Sequence, residues 1–271
     1  MKINGLSYDV LIGGIGEPVM MLHGFTGSLN TWRQFVSKYK EDFRFVVPSL
    51  VGHGKTDAPH ELERYTIESV VEDLVGILDH QKIDQVHLVG YSMGGRLAIA
   101  FALKYPNRLK SLILESASAG ISSKKEREKR QESDGILSLK IDLEGMEAFV
   151  DYWESIPLFQ PLEKKISFPD KLRLRTDRIS HKPNGLMASL IMMGTGSQPY
   201  YMNKLNRIKV PTLILTGKMD EKFCKIGGQM ADQIYNSEQV IVEDSGHVIH
   251  LEQSMKFDRI VVDFMRKVEE K

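Results

Sequence analysis

At 271 residues the chain can bury a large core, and its 42% hydrophobic and 27% charged content is that of a globular protein. Thirty-six Lys and Arg balance 36 Asp and Glu, so no global field recruits nucleic acid or an anionic membrane, and any anion recognition must be local. One cysteine, Cys224, excludes an internal disulfide and fits a reducing compartment.

In chain order, residues 2–11 alternate as a strand should and break at Gly13-Gly14, a turn into a second strand at 18–22. A helix is expected over 29–39 and a buried strand over 43–48. In the predicted helix 66–78, Ile67, Val70, Val71, Leu74 and Leu78 share one face. Strand 86–90, helix 93–105 and strand 109–114 follow. This alternation predicts a mostly parallel sheet with helices on both faces. From about residue 120 to 199 the chain is charged and helix-prone, without convincing strands; βα alternation returns at 210–215 and 239–242, before a terminal helix over 255–268. The expected organisation is a core of 1–119 and 201–271 with a helical cap, 120–200, over the strand ends. No run of about 18 apolar residues predicts a membrane span. The N-terminal residues lack the features of a secretory signal, so a cytoplasmic location is expected.

Gly90-Tyr91-Ser92-Met93-Gly94 lies between a predicted strand and a predicted helix. That context makes it a nucleophile elbow, in which a sharp turn presents the serine hydroxyl above the sheet. Without that context Ser92 would be an ordinary turn serine. A hydroxyl needs a base, and His247 follows the last strand in Asp244-Ser245-Gly246-His247, with His250 three residues on as the competitor. An acid must orient that base. Asp220 follows a strand in Gly217-Lys218-Met219-Asp220, while Glu115 ends the strand after the elbow helix and is the rival. The order Ser, Asp, His is that of the α/β-hydrolase fold. The backbone N–H groups of Phe25, in His23-Gly24-Phe25, and of Met93 are the expected oxyanion donors. His23 is expected to brace its loop, and Gly52-His53-Gly54 reads as structural turn chemistry.

Arg96 lies one helical turn after Ser92, where a guanidinium is costly unless paired with an internal carboxylate or an anionic ligand; both readings stay open. Arg127 and Arg130 share a face of a cap helix, whose bland alternative is a solvated charged surface. Residues 164–182 carry Lys164, Lys165, Lys171, Arg173, Arg175, Arg178 and Lys182 against Asp170 and Asp177, which suggests a small polyanionic substrate. No metal-ligand spacing and no nucleotide motif is present, so no cofactor is expected. Two classes stay open for this constellation. One is a carboxylester or carbon–carbon bond hydrolase, and the other is a non-catalytic receptor of the same fold, which would have no use for an ordered triad.

Tyr91-Ser92-Met93-Gly94-Gly95-Arg96, Leu114-Glu115-Ser116-Ala117-Ser118-Ala119-Gly120, Arg178-Ile179-Ser180-His181 and Met193-Gly194-Thr195-Gly196-Ser197-Gln198-Pro199 resemble the menaquinone-pathway 2-succinyl-6-hydroxy-2,4-cyclohexadiene-1-carboxylate (SHCHC) synthases. The resemblance implies elimination of pyruvate from a 5-enolpyruvyl-cyclohexene precursor (SEPHCHC), a small polycarboxylate, by a monomer or homodimer. It places the triad on Ser92, Asp220 and His247. Substrate contacts fall on Tyr91, Arg96, Arg130, Arg178 and a cap aromatic, Trp153 in preference to Tyr152. The chain departs from the family pattern at Ser49, Val51 and Ala119, away from the proposed chemistry.

Overall fold

The computed structural model describes residues 1–270. Its strands are β1 (Lys2–Ile3), β2 (Leu6–Ser7), β3 (Val10–Gly13), β4 (Glu17–Leu22), β5 (Phe43–Pro48), β6 (Val86–Tyr91), β7 (Leu109–Glu115), β8 (Thr212–Gly217) and β9 (Ser237–Val242). The helices of the layers around them are α1 (Arg33–Tyr39), α2 (Ile67–His80) and α3 (Met93–Lys104). Between β7 and β8 come α4 (Lys124–Ser155), α5 (Gln160–Lys165), α6 (Phe168–Ile179) and α7 (Pro183–Met193). The chain ends with α8 (Glu221–Ala231), α9 (Ile249–Glu252) and α10 (Ser254–Glu269).

Seven strands form one sheet in the order β3-β5-β4-β6-β7-β8-β9, parallel except for β3, which pairs antiparallel with β5. The near-continuous apolar strands have a simple cause. Successive side chains point to opposite faces, and both faces are covered. Met20 and Leu22 pack with Leu88, Leu97 and Phe101 on one side, while Val19 and Met21 pack with Val89, Ile113 and Phe257 on the other. The single strand expected over 2–11 is instead three short ones. Asn4 and Gly5 take positive φ (45° and 87°), turning β1 back on β2, which leaves only β3 in the main sheet. Residues 29–39 begin as a 3-10 turn, Leu29–Trp32, before α1, with Ser28 accepting from the Asn30 N–H as the cap.

The segment between β7 and β8 contains no strand, as its composition predicts. Its long helix α4 is jointed at Gly145 (φ 85°, ψ 176°), a conformation that a Cβ would strain. Ile141, Met146, Phe149 and Val150 of α4 and Leu186 and Leu190 of α7 make a separate apolar cluster, which Phe25 touches. No helix is long and apolar enough to cross a membrane among the described residues. The carboxyl ends of β4, β6, β7, β8 and β9 run into the segments that carry Phe25, Ser92, Glu115, Asp220 and His247. This is the edge where ligands bind in open parallel sheets.

Candidate active site

Ser92 stands between β6 and α3 at φ 51° and ψ −106°, a positive φ that a serine adopts only under constraint, at a cost of roughly 1–3 kcal/mol. Neighbouring glycines make the turn possible. A Cβ on Gly90 would lie 2.5 Å from the Gly94 carbonyl oxygen, and one on Gly94 would lie 2.4 Å from that of Leu22. The Ser92 N–H donates to the Glu115 carbonyl (2.8 Å), tying the elbow to β7.

His247 Nε2 is 3.2 Å from Ser92 Oγ, and its Nδ1 is 2.7 Å from Asp220 Oδ2. Asp220 also caps α8, accepting the Phe223 N–H on Oδ1 (3.3 Å), so one carboxylate anchors a helix and orients the imidazole. The rings of Phe223, Tyr91 and Phe159 enclose His247 at 4.7, 5.7 and 6.3 Å. The competing residues pair with each other. Glu115 accepts the His250 N–H (3.0 Å) and faces His250 Nδ1 at 2.8–2.9 Å, while Trp32 and Tyr91 pack on that ring. Two histidine–carboxylate pairs therefore flank Tyr91, and only the Asp220 pair reaches the serine. Burial, reinforced by Glu115, holds the Tyr91 phenol well above its usual range.

Gly24 brings the loop after β4 against the elbow; a Cβ there would come within 2.6 Å of the Tyr91 ring and 3.5 Å of Ser92 Cβ. Met93 opens α3, where an N–H has no acceptor inside the helix, and no group among the described residues accepts the Phe25 N–H. His23 braces its own loop as expected. Its Nδ1 faces the Gly24 carbonyl (2.7 Å), its Nε2 accepts the Leu50 N–H (2.9 Å), and burial lowers it to about 4. His53 lies beside it, ring centroids 5.0 Å apart, and burial holds it well below the usual histidine range.

The predicted arginines fall into two groups. Arg96, 9% exposed, donates to the Met193 carbonyl, and burial followed by the charge of Arg130 brings it down to about 10. Arg130 Nε pairs with Asp134 Oδ1 at 2.8 Å, and the other Asp134 oxygen is buried without a partner. Burial raises the Asp134 carboxyl against the opposing pull of both arginines. No carboxylate contacts Arg96 directly among the described residues, so its direct partner is a main-chain carbonyl. Arg127 turns away to the carbonyls of Ile121 (3.0 Å) and Ser122 (2.8 Å), so the shared face expected of Arg127 and Arg130 does not give them shared partners.

Arg178, 5% exposed, belongs to the second group. Its Nη1 donates to Glu154 Oε1 (2.9 Å), its guanidinium lies 5.8 Å from the Phe159 ring, and its Nε is buried without a partner. Trp153 turns inward against Phe25, Phe149 and Phe159 with its indole N–H buried and unpaired, whereas Tyr152 is 46% exposed. A cavity of about 910 Å³ is lined by Gly24, Phe25, Tyr91, Phe159, Arg178 and His250, among others; Ser92, Arg96 and Arg130 do not line it. The basic stretch 164–182 is largely neutralised. Lys165 pairs with Asp244, Lys171 with Glu163, Arg173 with Asp170, and Arg175 with Asp151 and Glu154. A diffuse cationic cap is thus not what the fold builds; it buries individual guanidinium groups.

Glu252 is the residue that the sequence reading missed. Its buried carboxylate accepts the Gly246 N–H (2.6 Å) and the Val248 N–H (3.0 Å), the two amides on either side of His247. The available signal was a glutamate five residues beyond the histidine, on the next helix.

A parallel sheet with a strained serine elbow, and a histidine and an aspartate delivered from the following strand ends, defines an α/β hydrolase, and the chain belongs to that family. The alpha/beta hydrolase fold profile matches residues 17–134. The chain is 40% identical over 267 residues, covering 98% of itself and 97% of its relative, to a Bacillus subtilis protein named "Putative 2-succinyl-6-hydroxy-2,4-cyclohexadiene-1-carboxylate synthase". It is 28% identical to the 2-hydroxy-6-oxo-2,4-heptadienoate hydrolase of Pseudomonas putida, over 93% of this chain and 90% of that one. Among solved structures it resembles MenH from S. aureus, with TM-score 0.91, 32% identity, and coverage of 97% of this chain and 98% of the other.

Proposed function

We propose that the protein is an SHCHC synthase of menaquinone biosynthesis, a carbon–oxygen lyase that eliminates pyruvate from SEPHCHC. The reading is supported by the 40% identity to the B. subtilis protein of that name and, in the structure, above all by one feature. Guanidinium groups are buried in two separate places around a complete triad, Arg96 at the elbow helix and Arg178 at the cavity beside Tyr91. Burying a cation is costly, and a site for neutral esters has no use for two. A substrate with carboxylates at separated positions answers both. The unpaired Arg178 Nε and Trp153 Nε1 supply further donors to such a ligand.

In the proposed reaction Asp220 holds the His247 imidazole with Nε2 toward Ser92 Oγ. His247 draws the hydroxyl proton, and the Ser92 oxygen removes the proton from the ring carbon that bears the succinyl group. Negative charge develops on the succinyl carbonyl oxygen, which the N–H groups of Phe25 and Met93 receive. The electron pair then moves through the ring alkene, giving the conjugated diene, and the carbon–oxygen bond to the enolpyruvyl group breaks. Pyruvate leaves as its enolate, which Arg96 and the cap arginines Arg130 and Arg178 stabilise, and a proton returns to it. No water is consumed. The second reading is a carboxylester or carbon–carbon bond hydrolase for a small anionic substrate, favoured by the likeness to the heptadienoate hydrolase.

Pyruvate release from enzymatically generated SEPHCHC separates the two, with wild type compared against Ser92→Ala and Arg96→Ala. Fast release lost in both variants supports the lyase. Absent release from protein that still labels with a fluorophosphonate at Ser92 transfers the assignment to the hydrolase.

A further inference from the structure

The last turn of α6 carries more than Arg178. On one side of it, Asp177 accepts from two groups of the loop that follows Phe25: Ser28 Oγ donates to Oδ2 (2.7 Å) and Asn30 Nδ2 to Oδ1 (2.6 Å). On the other side, His181 accepts the Gly54 N–H on Nδ1 (2.9 Å), which leaves its proton on Nε2, donated to the Thr26 carbonyl (2.9 Å). Thr26 itself is buried at φ 64°, a left-handed conformation that a β-branched residue does not hold unaided. These contacts span more than 120 residues of sequence and join the end of α6 and the residue His181 just after it to Thr26, Ser28 and Asn30 in the loop that follows Phe25, and to Gly54.

We propose that Asp177 and His181 are positioning residues that hold the Phe25 N–H in place, so that the helix turn presenting Arg178 and the oxyanion donor form one mechanical unit. The proposal rests on the reading that Phe25 N–H receives the developing oxyanion. The physical ground is that the strained Thr26 peptide has its carbonyl fixed from the cap by His181, while Asp177 clamps the next turn of the loop from the same cap helix. Asp177 is neutralised by no arginine or lysine among the described residues; hydrogen bonds from the loop satisfy both its oxygens. His181 also packs edge-on against His53, centroids 5.5 Å apart, so its ring is fixed in orientation as well as in tautomer. An anion drawn to Arg178 thus meets an oxyanion hole held by the residues beside that arginine. A cap that moves without α6 seated would leave the hole loose, which ties turnover to the presence of the anion-binding helix.

The test is the rate of fluorophosphonate labelling at Ser92, since the phosphonyl oxygen enters the oxyanion hole, measured with kcat and KM for a neutral p-nitrophenyl ester. Asp177→Ala, and His181→Phe, which keeps the ring but removes both hydrogen bonds, should each slow labelling and lower kcat by about 10- to 100-fold with little change in KM. Asp177→Asn keeps the shape and one acceptor oxygen and should recover part of the rate. Gly145→Ala, at the joint of α4, strains that helix at φ 85° where an added Cβ would meet only the Glu147 side chain, and it should label at close to the wild-type rate. Unchanged labelling in Asp177→Ala and His181→Phe would overturn the proposal, as would an equal loss in Gly145→Ala. If the wild type releases no pyruvate yet the two variants still label slowly, the positioning role stands and the lyase reading falls.

Discussion

Glu252→Gln tests whether the loop carrying His247 is held in place by a single buried carboxylate. Glutamine keeps the shape and one acceptor oxygen, but it presents an amide N–H₂ to either the Gly246 or the Val248 N–H, donor against donor. A hydrogen bond to a charged acceptor contributes about 1.5–3 kcal/mol, so losing one would by itself destabilise the fold by that much. Burial opposes this loss. It is the largest influence on Glu252 and outweighs the two backbone donors, raising the carboxyl above 4.5, so the ionised group is held at a cost that the amide does not carry. The two effects oppose each other, so unfolding stability near neutral pH should fall by less than the roughly 1.5–3 kcal/mol of the lost bond. Activity has no such compensation. His247 must reach Ser92 Oγ across 3.2 Å, and a displacement of about 1 Å in a reacting group costs on the order of 100-fold. Urea unfolding and kcat measured on the same preparation should therefore separate, with only part of that bond's worth lost in stability and kcat down by roughly 10- to 100-fold. A variant with kcat within twofold of wild type would show that the neighbouring fold, not Glu252, positions His247.

Asp220→Asn should lower kcat by about 10⁴ with KM little changed, because the amide favours the wrong imidazole tautomer; steady-state kinetics on the substrate identified by the pyruvate assay checks it. Gly94→Ala should yield little folded protein, since the added Cβ would meet backbone at 2.4 Å on Leu22 rather than a side chain that can move; soluble yield and circular dichroism read this directly. His23 is held down to about 4 by burial, against 6.5 ordinarily, so the fold prefers its neutral form. Its contribution is complete above pH 6.5 and is lost as pH falls toward 4, by about 3 kcal/mol in all. Urea unfolding between those limits should show wild type losing more stability on acidification than His23→Gln, and equal slopes would contradict the burial argument.

The fold was legible in the sequence because both faces of the sheet are covered, which turns each central strand into an apolar run bounded by turn residues. The runs at 43–48, 86–90 and 109–114 match their strands to within a residue. Where the prediction failed, over residues 2–11, alternation was real, but Asn4 and Gly5 turn the chain inside the pattern, and period-2 hydrophobicity does not register a reversal of direction. Local spacing also located Ser92, the chemically distinctive turn. It favoured Asp220 and His247 but left their rivals standing: Asp220 follows one parallel strand, Glu115 ends another, and His247 and His250 lie three apart. Register in three dimensions separates the pairs: Tyr91 stands between the two histidines, and each takes the carboxylate on its own side.

Charge was the least legible quantity, for a related reason. Counting cations over 164–182 cannot see Asp244, Glu163, Asp151 or Glu154, which lie outside the window and arrive only through folding. What distinguishes Arg96 and Arg178 is burial combined with unspent bonding capacity, and neither property has a sequence signature stronger than position. For Arg96 the position is informative, because one helical turn after an elbow serine is necessarily beneath the site. For Arg178 it is the company that informs. Asp177 beside it and His181 three residues on both bond to the loop that follows Phe25, so the arginine stands on a turn tied directly to that loop.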